Sequence, residues 1–292
     1  MKIERVAVLG GGLMGSGIAE SAARSGLAVI VRDIDGTAIG AAHKRISESL
    51  GHAVERGKVS SAEAAEIHGR IDYTADLHEA IAGVDLVIEA VPENAELKAN
   101  ILAQVAGLVS EDALIASNTS SIPIAQLAAG LPRPDRVLGL HFFSPVPVMP
   151  LVEVVTALDT SEETVESAKA FAGAIGKRAI VTKDRSGFIV NMLLVPYLMA
   201  AVRMYEEGFA SAEDIDEGMK LGCGHPMGPL TLADFIGLDV LYAIGDSLYE
   251  EFKQTEYAPP PLLKRMVASG RIGRKSGRGF YEYSGDRATS AA

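Results

Sequence analysis

Cysteine is almost missing from the chain. Cys223 is the only one in 292 residues, so no disulfide can close within it, which suits a reducing compartment. Basic residues are also in short supply: 27 Lys and Arg against 38 Asp and Glu leave a net charge of −11. Such an acidic surface excludes a polyanion-binding face, and with it nucleic acid, while leaving room for a local basic pocket that meets a phosphorylated ligand. Long apolar runs are lacking too. Those present are interrupted by glycines and charges and are too short to span a membrane. Met1-Lys2-Ile3-Glu4-Arg5 leads directly into a strand-like segment with no signal-peptide pattern, which together with the cysteine count predicts a cytoplasmic location. No internal repeat is visible. At 48% hydrophobic and 22% charged residues the chain is globular, and its length predicts two domains.

Glycine, by contrast, is concentrated at one informative place. Arg5 to Leu9 reads as a buried strand and is followed by Gly10-Gly11-Gly12-Leu13-Met14-Gly15. A helical pattern then runs from Ser16 to Ser25, Gly26 stops it, and a second apolar run from Leu27 to Val31 ends at Asp33. In this strand–turn–helix–strand–acid order Gly10 permits the tight turn, Gly12 lets backbone approach a pyrophosphate, and Gly15 lets helix and strand pack closely. The helix N-terminus offers unpaired N–H groups and a positive dipole end to the phosphates. Asp33 is placed to accept hydrogen bonds from a ribose 2′-hydroxyl and to repel a 2′-phosphate. This favours NAD over NADP, a preference weakened by Arg24 and Arg32. The same turn also serves FAD, so it does not by itself fix the chemistry.

Thr37 to Gly57 and Ser61 to Gly69 predict polar-faced helices, an arm at about 37–69 projecting from the sheet. Asp85 to Val91, Ala113 to Ser117, Arg136 to His141, Leu151 to Val155 and Arg178 to Thr182 predict further strands, with a helix over Glu96 to Val109. From Asp184 onward the pattern is helical: Gly187 to Glu207, Ala212 to Leu221, Leu230 to Phe252 and Pro261 to Ser269. A strand pattern returns only at Gly279 to Tyr283, and the small polar segment Asp286 to Ala292 reads as a frayed tail. The expected fold is α/β, with a Rossmann-type domain over 1–183 and a helical domain over 184–292.

Three further segments attract attention. Ser117-Asn118-Thr119-Ser120-Ser121 follows a strand, where an open parallel sheet places ligands; it reads equally as a helix cap before Pro123. His141 ends a strand before the proline-rich turn of Pro145, Pro147 and Pro150, and Glu153 interrupts the apolar run Leu151 to Val155. A buried carboxylate needs a partner. A strand–turn–strand return would bring Glu153 beside His141, the arrangement of an oriented general acid/base. The alternative is that Glu153 pairs with an arginine and His141 merely packs. Asp184-Arg185-Ser186-Gly187-Phe188-Ile189-Val190-Asn191 marks the domain junction, with Asn191 read either as facing a ligand or as packing.

These segments, together with Gly139-Leu140-His141-Phe142-Phe143, Pro145 to Met149, Glu213 to Asp216, Met219 to Gly222, His225 to Leu230 and Gly273 to Tyr281, resemble the signature of the L-3-hydroxyacyl-CoA dehydrogenases. The similarity is nearest to the smaller bacterial 3-hydroxybutyryl-CoA type and covers essentially the whole chain in order. It implies reversible oxidation of a 3-hydroxyacyl thioester to the 3-ketoacyl thioester, and an all-helical C-terminal domain that makes a homodimer. Matched position by position, His141 is the general base or acid at the 3-hydroxyl and Glu153 orients it. Ser120 and Asn191 hydrogen-bond the reacting oxygen or the thioester carbonyl. Gly10, Gly12, Leu13, Met14, Gly15 and Asp33 hold the cofactor. Glu93, Lys98, Ser144 and Lys275 lie toward its nicotinamide half, although Lys98 and Lys275 read equally well as solvated surface charges. Ser49 and Arg56 meet the substrate, Arg56 at a phosphate of coenzyme A, unless Arg56 is an ordinary exposed cation with Lys58 nearby. No metal is required.

The match departs at three positions. The family usually carries asparagine where this chain has Ser144, proline where it has Ser186 and arginine where it has Met192. None removes the acid/base pair, but all bear on substrate preference. Four readings follow: a 3-hydroxyacyl-CoA dehydrogenase, the same chemistry on a group tethered to an acyl carrier protein in a polyketide precursor pathway, oxidation of a free hydroxy acid, and a non-catalytic cofactor-sensing homologue.

Overall fold

The computed structural model describes residues 1–284 and 287–290. The chain forms two compact units, Met1–Arg185 and Ser186–Ala292. In chain order the first unit contains β1 (Arg5–Leu9), α1 (Leu13–Arg24), β2 (Ala28–Arg32), α2 (Gly36–Glu55), α3 (Ser61–His68), β3 (Ile71–Thr74), α4 (Leu77–Ile81) and β4 (Leu86–Glu89). It continues with α5 (Ala95–Ala106), β5 (Leu114–Ser117), α6 (Ile124–Ala128), β6 (Val137–Phe142), β7 (Leu151–Thr156), α7 (Glu162–Ala174) and β8 (Arg178–Lys183).

The strands make one eight-stranded sheet in the order β3-β2-β1-β4-β5-β6-β7-β8. Every neighbouring pair is parallel except β6 with β7, which run antiparallel. The strand order reverses between β1 and β4, and a doubly wound sheet offers its ligand crevice at such a switch point. Strands covered on both faces carry unbroken apolar runs, as Val6-Ala7-Val8-Leu9 and Leu86-Val87-Ile88 do. Ala42, Ile46 and Leu50 of α2 and Ile67 of α3 join the same core, so the helical arm is anchored along one face.

Several elements differ from their sequence patterns. Strand β3 and helices α4, α6 and α7 carry no clear periodic signal. Strand β3 is the short mixed segment Ile71-Asp72-Tyr73-Thr74, and α7 buries small residues, Ser167, Ala168 and Ala172, around Phe171. Of the two readings of the Ser117–Ser121 segment, the helix cap is not what α6 uses. The first amides of α6, Ile124 N and Ala125 N, donate instead to the Asp184 carboxylate at 2.8 and 2.7 Å.

The second unit contains α8 (Val190–Glu206), α9 (Ala212–Cys223), α10 (Pro229–Ile236), α11 (Leu238–Phe252), α12 (Pro261–Ala268) and the antiparallel pair β9 (Tyr281–Ser284) and β10 (Arg287–Ser290). The expected single helix over Leu230 to Phe252 is two, because Gly237 at φ +102° breaks it. Of the expected frayed tail, residues 287–290 pair as β10, while Asp286, Ala291 and Ala292 lie outside the described residues. Two buried carboxylates organise this unit. Asp216 accepts from Leu230 N, Thr231 N and the Tyr281 hydroxyl, and Asp234 accepts from Phe280 N, Tyr281 N and the Tyr283 hydroxyl. Burial pushes the Asp234 carboxyl above its ordinary range, against the pull of those backbone hydrogen bonds. Among the described residues no helix is long and apolar enough to cross a membrane.

Candidate active site

The glycines at positions 10, 12 and 15 of the turn have separable tasks. Gly10 sits at φ +99°, and a Cβ there would lie 2.7 Å from the Ala90 carbonyl oxygen at the end of β4. At Gly15 a Cβ would meet the Gly10 carbonyl oxygen at 1.8 Å, so α1 reaches its seat on β1 only because the position is bare. A Cβ at Gly12 would meet nothing within 4 Å. Gly12 is therefore not needed for packing and leaves an open approach to the backbone. It is the N-cap of α1, with no side-chain cap and no acid in the first turn. Those amides and the positive helix end suit a pyrophosphate. Leu13 is exposed and Met14 half-buried beside it.

Asp33 stands just past β2. Its carboxylate accepts from Gly11 N and from Ile34 N, each at 2.7 Å, which fixes it beside the turn with lone pairs to spare for a ribose hydroxyl. Arg24 does not oppose it, since its guanidinium is bound to Glu20 at 2.7 and 2.9 Å. Arg32 donates its Nε to the Ala75 carbonyl at 3.2 Å.

At the carboxyl ends of β4 and β5 lies a polar network in which Glu89, Lys98, Ser117 and Thr119 are buried and Glu93 reaches the surface. Lys98, expected as a cofactor contact or a surface charge, is 1% exposed. Its ammonium donates to Glu89 Oε1 at 2.7 Å and to the Val91 carbonyl at 3.1 Å, and lies 3.3 Å from Glu93 Oε2. Glu89, wholly buried, also accepts from Val91 N at 2.7 Å and the Ser117 hydroxyl at 2.6 Å. Glu93 accepts from the Thr119 hydroxyl at 2.5 Å, Ser120 N at 3.1 Å and the Ser121 hydroxyl at 3.0 Å. Burial drives the Glu93 carboxyl upward, but the Lys98 ammonium and these hydrogen bonds outweigh it and hold it below its ordinary value. Glu93 thus fixes the backbone of the Ser120 loop. The Ser120 hydroxyl has no hydrogen-bond partner among the described residues.

Strands β6 and β7 supply the acid/base pair. Their antiparallel register sets His141 opposite Glu153. His141 Nδ1 lies 2.7 Å from Glu153 Oε2, with His141 6% exposed and Glu153 fully buried. The Phe143 ring leans on the imidazole at 4.6 Å between centroids. Asn118 Oδ1 accepts from Phe142 N at 3.0 Å, which pins the Ser120 loop to the end of β6. Ser144 is exposed where the proline-rich turn begins. Lys177 holds that turn through the Val146 and Met149 carbonyls at 2.6 and 2.8 Å. Gly17 of α1 lets Val146 approach closely, since a Cβ there would come within 2.9 Å of it.

Ser49 is half-buried near the end of α2, and Arg56, its C-cap residue, is exposed together with Lys58. Neither Arg56 nor Lys58 has an ion pair among the described residues. Asn191 and Lys275 belong to the second unit. Asn191 is half-buried in the first turn of α8, and Lys275 is ion-paired with Asp239 at 2.6 Å.

Sequence reasoning singled out the Ser117–Ser121 segment without giving separate roles to Ser117, Asn118 and Thr119, and it missed Glu89. Glu89 had a signal: it is a carboxylate inside the apolar run Leu86 to Ala90, the same pattern that exposed Glu153.

The family model described as the NAD-binding domain of 3-hydroxyacyl-CoA dehydrogenase matches residues 5–185, and the model of that enzyme's C-terminal domain matches residues 187–283. The chain belongs to the 3-hydroxyacyl-CoA dehydrogenase family. As such a dehydrogenase it is an NAD-dependent oxidoreductase. It is 51% identical over 283 residues to the 3-hydroxybutyryl-CoA dehydrogenase of Mycobacterium tuberculosis, a match covering 96% of this chain and 99% of that one. Among solved structures, M. tuberculosis FadB2 superposes with a TM-score of 0.96 at 50% identity, covering 97% of this dehydrogenase and 100% of FadB2. The (S)-3-hydroxybutyryl-CoA dehydrogenase PaaH1 of Ralstonia eutropha gives a TM-score of 0.92 at 45% identity, with 97% and 100% covered.

Proposed function

We propose that the chain interconverts a short-chain 3-hydroxyacyl-CoA, most simply 3-hydroxybutyryl-CoA, with its 3-ketoacyl-CoA, and that His141 is the general acid/base. The observation that carries this reading is the buried contact of 2.7 Å between His141 Nδ1 and Glu153. A carboxylate on Nδ1 sets the imidazole's tautomer and orientation, leaving Nε2 to serve as base toward the 3-hydroxyl or, protonated, as acid toward the 3-ketone. In oxidation the proton of the 3-hydroxyl passes to His141 and the imidazolium that forms stabilises the developing charge on oxygen, with Glu153 supporting it. Bound NAD supplies the acceptor for the hydride that leaves C3. Gly12 and the first turn of α1 would hold its pyrophosphate, Asp33 its ribose, and Glu93 and Ser144 would serve its nicotinamide half. Lys98 acts through Glu93 rather than on the cofactor directly. Ser120 and Asn191 hydrogen-bond the substrate oxygens, and Lys275 completes the cofactor contacts.

Arg56, with Ser49 about two turns back along α2, binds the phosphate-rich end of coenzyme A, and its lack of an ion pair among the described residues leaves the charge available. The same cations would meet an acidic acyl carrier protein. The second unit pairs two copies of the chain, a role favoured by the exposed Leu193, Phe209 and Leu221, at 71%, 77% and 82%. A cytoplasmic location accords with the single cysteine.

A substrate panel followed by absorbance of the reduced cofactor tests the assignment. Acetoacetyl-CoA, an acetoacetyl carrier protein and free 3-hydroxy acids are offered with the matching NADH or NAD. Turnover of the CoA thioester is expected. Turnover of a free acid with none of any thioester sinks the reading.

A further inference from the structure

The carbonyl of Gly11 has a second partner besides the Ser16 hydroxyl, which donates to it at 2.8 Å. Helix α2 lies so close to the glycine turn that a Cβ on Gly11 would come within 2.5 Å of the Ala42 Cβ. One helical turn further along α2, Arg45 donates Nη1 to the Gly11 oxygen at 3.0 Å. Gly11 is thus held from both sides: Asp33 takes its N–H at 2.7 Å and Arg45 its C=O. The Arg45 side of this clamp keeps its full charge, because the residue has no ion pair among the described residues, with Asp33 or any other acid. A guanidinium has five N–H donors in a rigid fork. One is spent on Gly11, whose N–H is held by the Asp33 carboxylate, and the others have no hydrogen bond among the described residues.

From this geometry we infer that Arg45 is a cofactor-specificity residue that binds the 2′-phosphate of NADPH, so that the enzyme accepts NADPH as a second nicotinamide donor in spite of Asp33. The inference rests on the cofactor lying at the glycine turn. Asp33 disfavours a 2′-phosphate by repulsion, whereas Arg45 offers that phosphate a charge-assisted, forked hydrogen bond. Arg24 and Arg32 are less suited. Arg24 ends α1, far from the turn, and is paired with Glu20, and Arg32 has its Nε committed to Ala75. On NADH, which has no 2′-phosphate, Arg45 has only its structural grip on Gly11, so its loss should weigh on the two cofactors unequally.

The test is a fluorescence titration of the purified full chain with NADH and with NADPH, for wild type, Arg45→Gln and Arg32→Gln. Thermal melts check that each variant is folded. Wild type is expected to bind both, NADH more tightly. Arg45→Gln should weaken NADPH by about tenfold or more while changing NADH by less than about threefold. Arg32→Gln should leave both nearly unchanged. Equal loss for the two cofactors, no loss in Arg45→Gln, a selective NADPH loss in Arg32→Gln instead, or a wild type that binds NADH but not NADPH each overturns the inference. The underlying placement of the cofactor is checked separately with Gly12→Ala. A Gly12→Ala chain that binds NADH as wild type does contradicts that placement, whatever Arg45 shows.

Discussion

His141 and Glu153 face each other across the only antiparallel strand pair of the large sheet, with Nδ1 and a carboxylate oxygen 2.7 Å apart. The antiparallel return after the proline-rich turn brings together two residues that a parallel connection would have set far apart. Glu153→Gln keeps the size and removes the charge. It should lower kcat by about a hundredfold while KM for acetoacetyl-CoA and the affinity for NADH move by less than about threefold. Steady-state kinetics alongside a cofactor titration measure both. Parallel losses in kcat and binding would mean that Glu153 serves the fold rather than the imidazole.

Two glycines of one turn should fail in different ways. Gly15→Ala forces a methyl to within 1.8 Å of the Gly10 carbonyl, so α1 must move off β1. A loss of about 3 kcal/mol or outright misfolding is expected in urea denaturation. Gly12→Ala meets no protein atom within 4 Å and has φ −66°, which alanine adopts freely. Its stability should stay within about 1 kcal/mol of wild type, yet NADH affinity should fall by about tenfold or more, because the methyl stands where the pyrophosphate approaches.

Lys98 and Glu89 are buried at 2% and 0% side-chain exposure, and each compensates the other. Lys98→Met leaves a buried carboxylate without its cation and should cost about 3–5 kcal/mol. Adding Glu89→Gln should recover part of that loss, so the double-mutant cycle gives a coupling energy well above zero. Additive losses would contradict the pairing.

The Glu93 carboxyl is held below its ordinary value of 4.5. A carboxylate with a depressed folded-state value adds stability that is present above the unfolded-state value and is lost as pH falls through the folded one. The stability advantage of wild type over Glu93→Gln should therefore be constant near neutrality and shrink below about pH 4.5. Thermal melts of both proteins across that range measure it.

Much of this was legible in the residues, for physical reasons. Strand β1, the glycine turn, α1 and β2 follow from apolar runs punctuated by glycine, and the cost of burying a lone carboxylate requires a partner for Glu153, with His141 and an arginine both open until the register of β6 and β7 is seen. The remainder was not legible because it depends on contacts distant in sequence. Asp184 caps α6 from about 60 residues away, since no serine of the nearby segment does so. Lys98 reads as a surface charge until Glu89 and Glu93 are seen around it. Strand β3 has too few apolar residues to announce itself, and Gly237 splits a continuous helical pattern through a positive φ that periodicity does not record. Arg45 was overlooked among the charges of a polar-faced helix, because only the close approach of Ala42 to Gly11 brings it to the turn.

The most direct test of the central claim compares wild type and His141→Ala in the NADH-dependent reduction of acetoacetyl-CoA, with NADH binding measured on the same samples. Loss of a general acid should lower turnover by roughly 10²–10⁴-fold while NADH binds as before. Near-normal turnover in His141→Ala, with cofactor binding intact, would contradict the account.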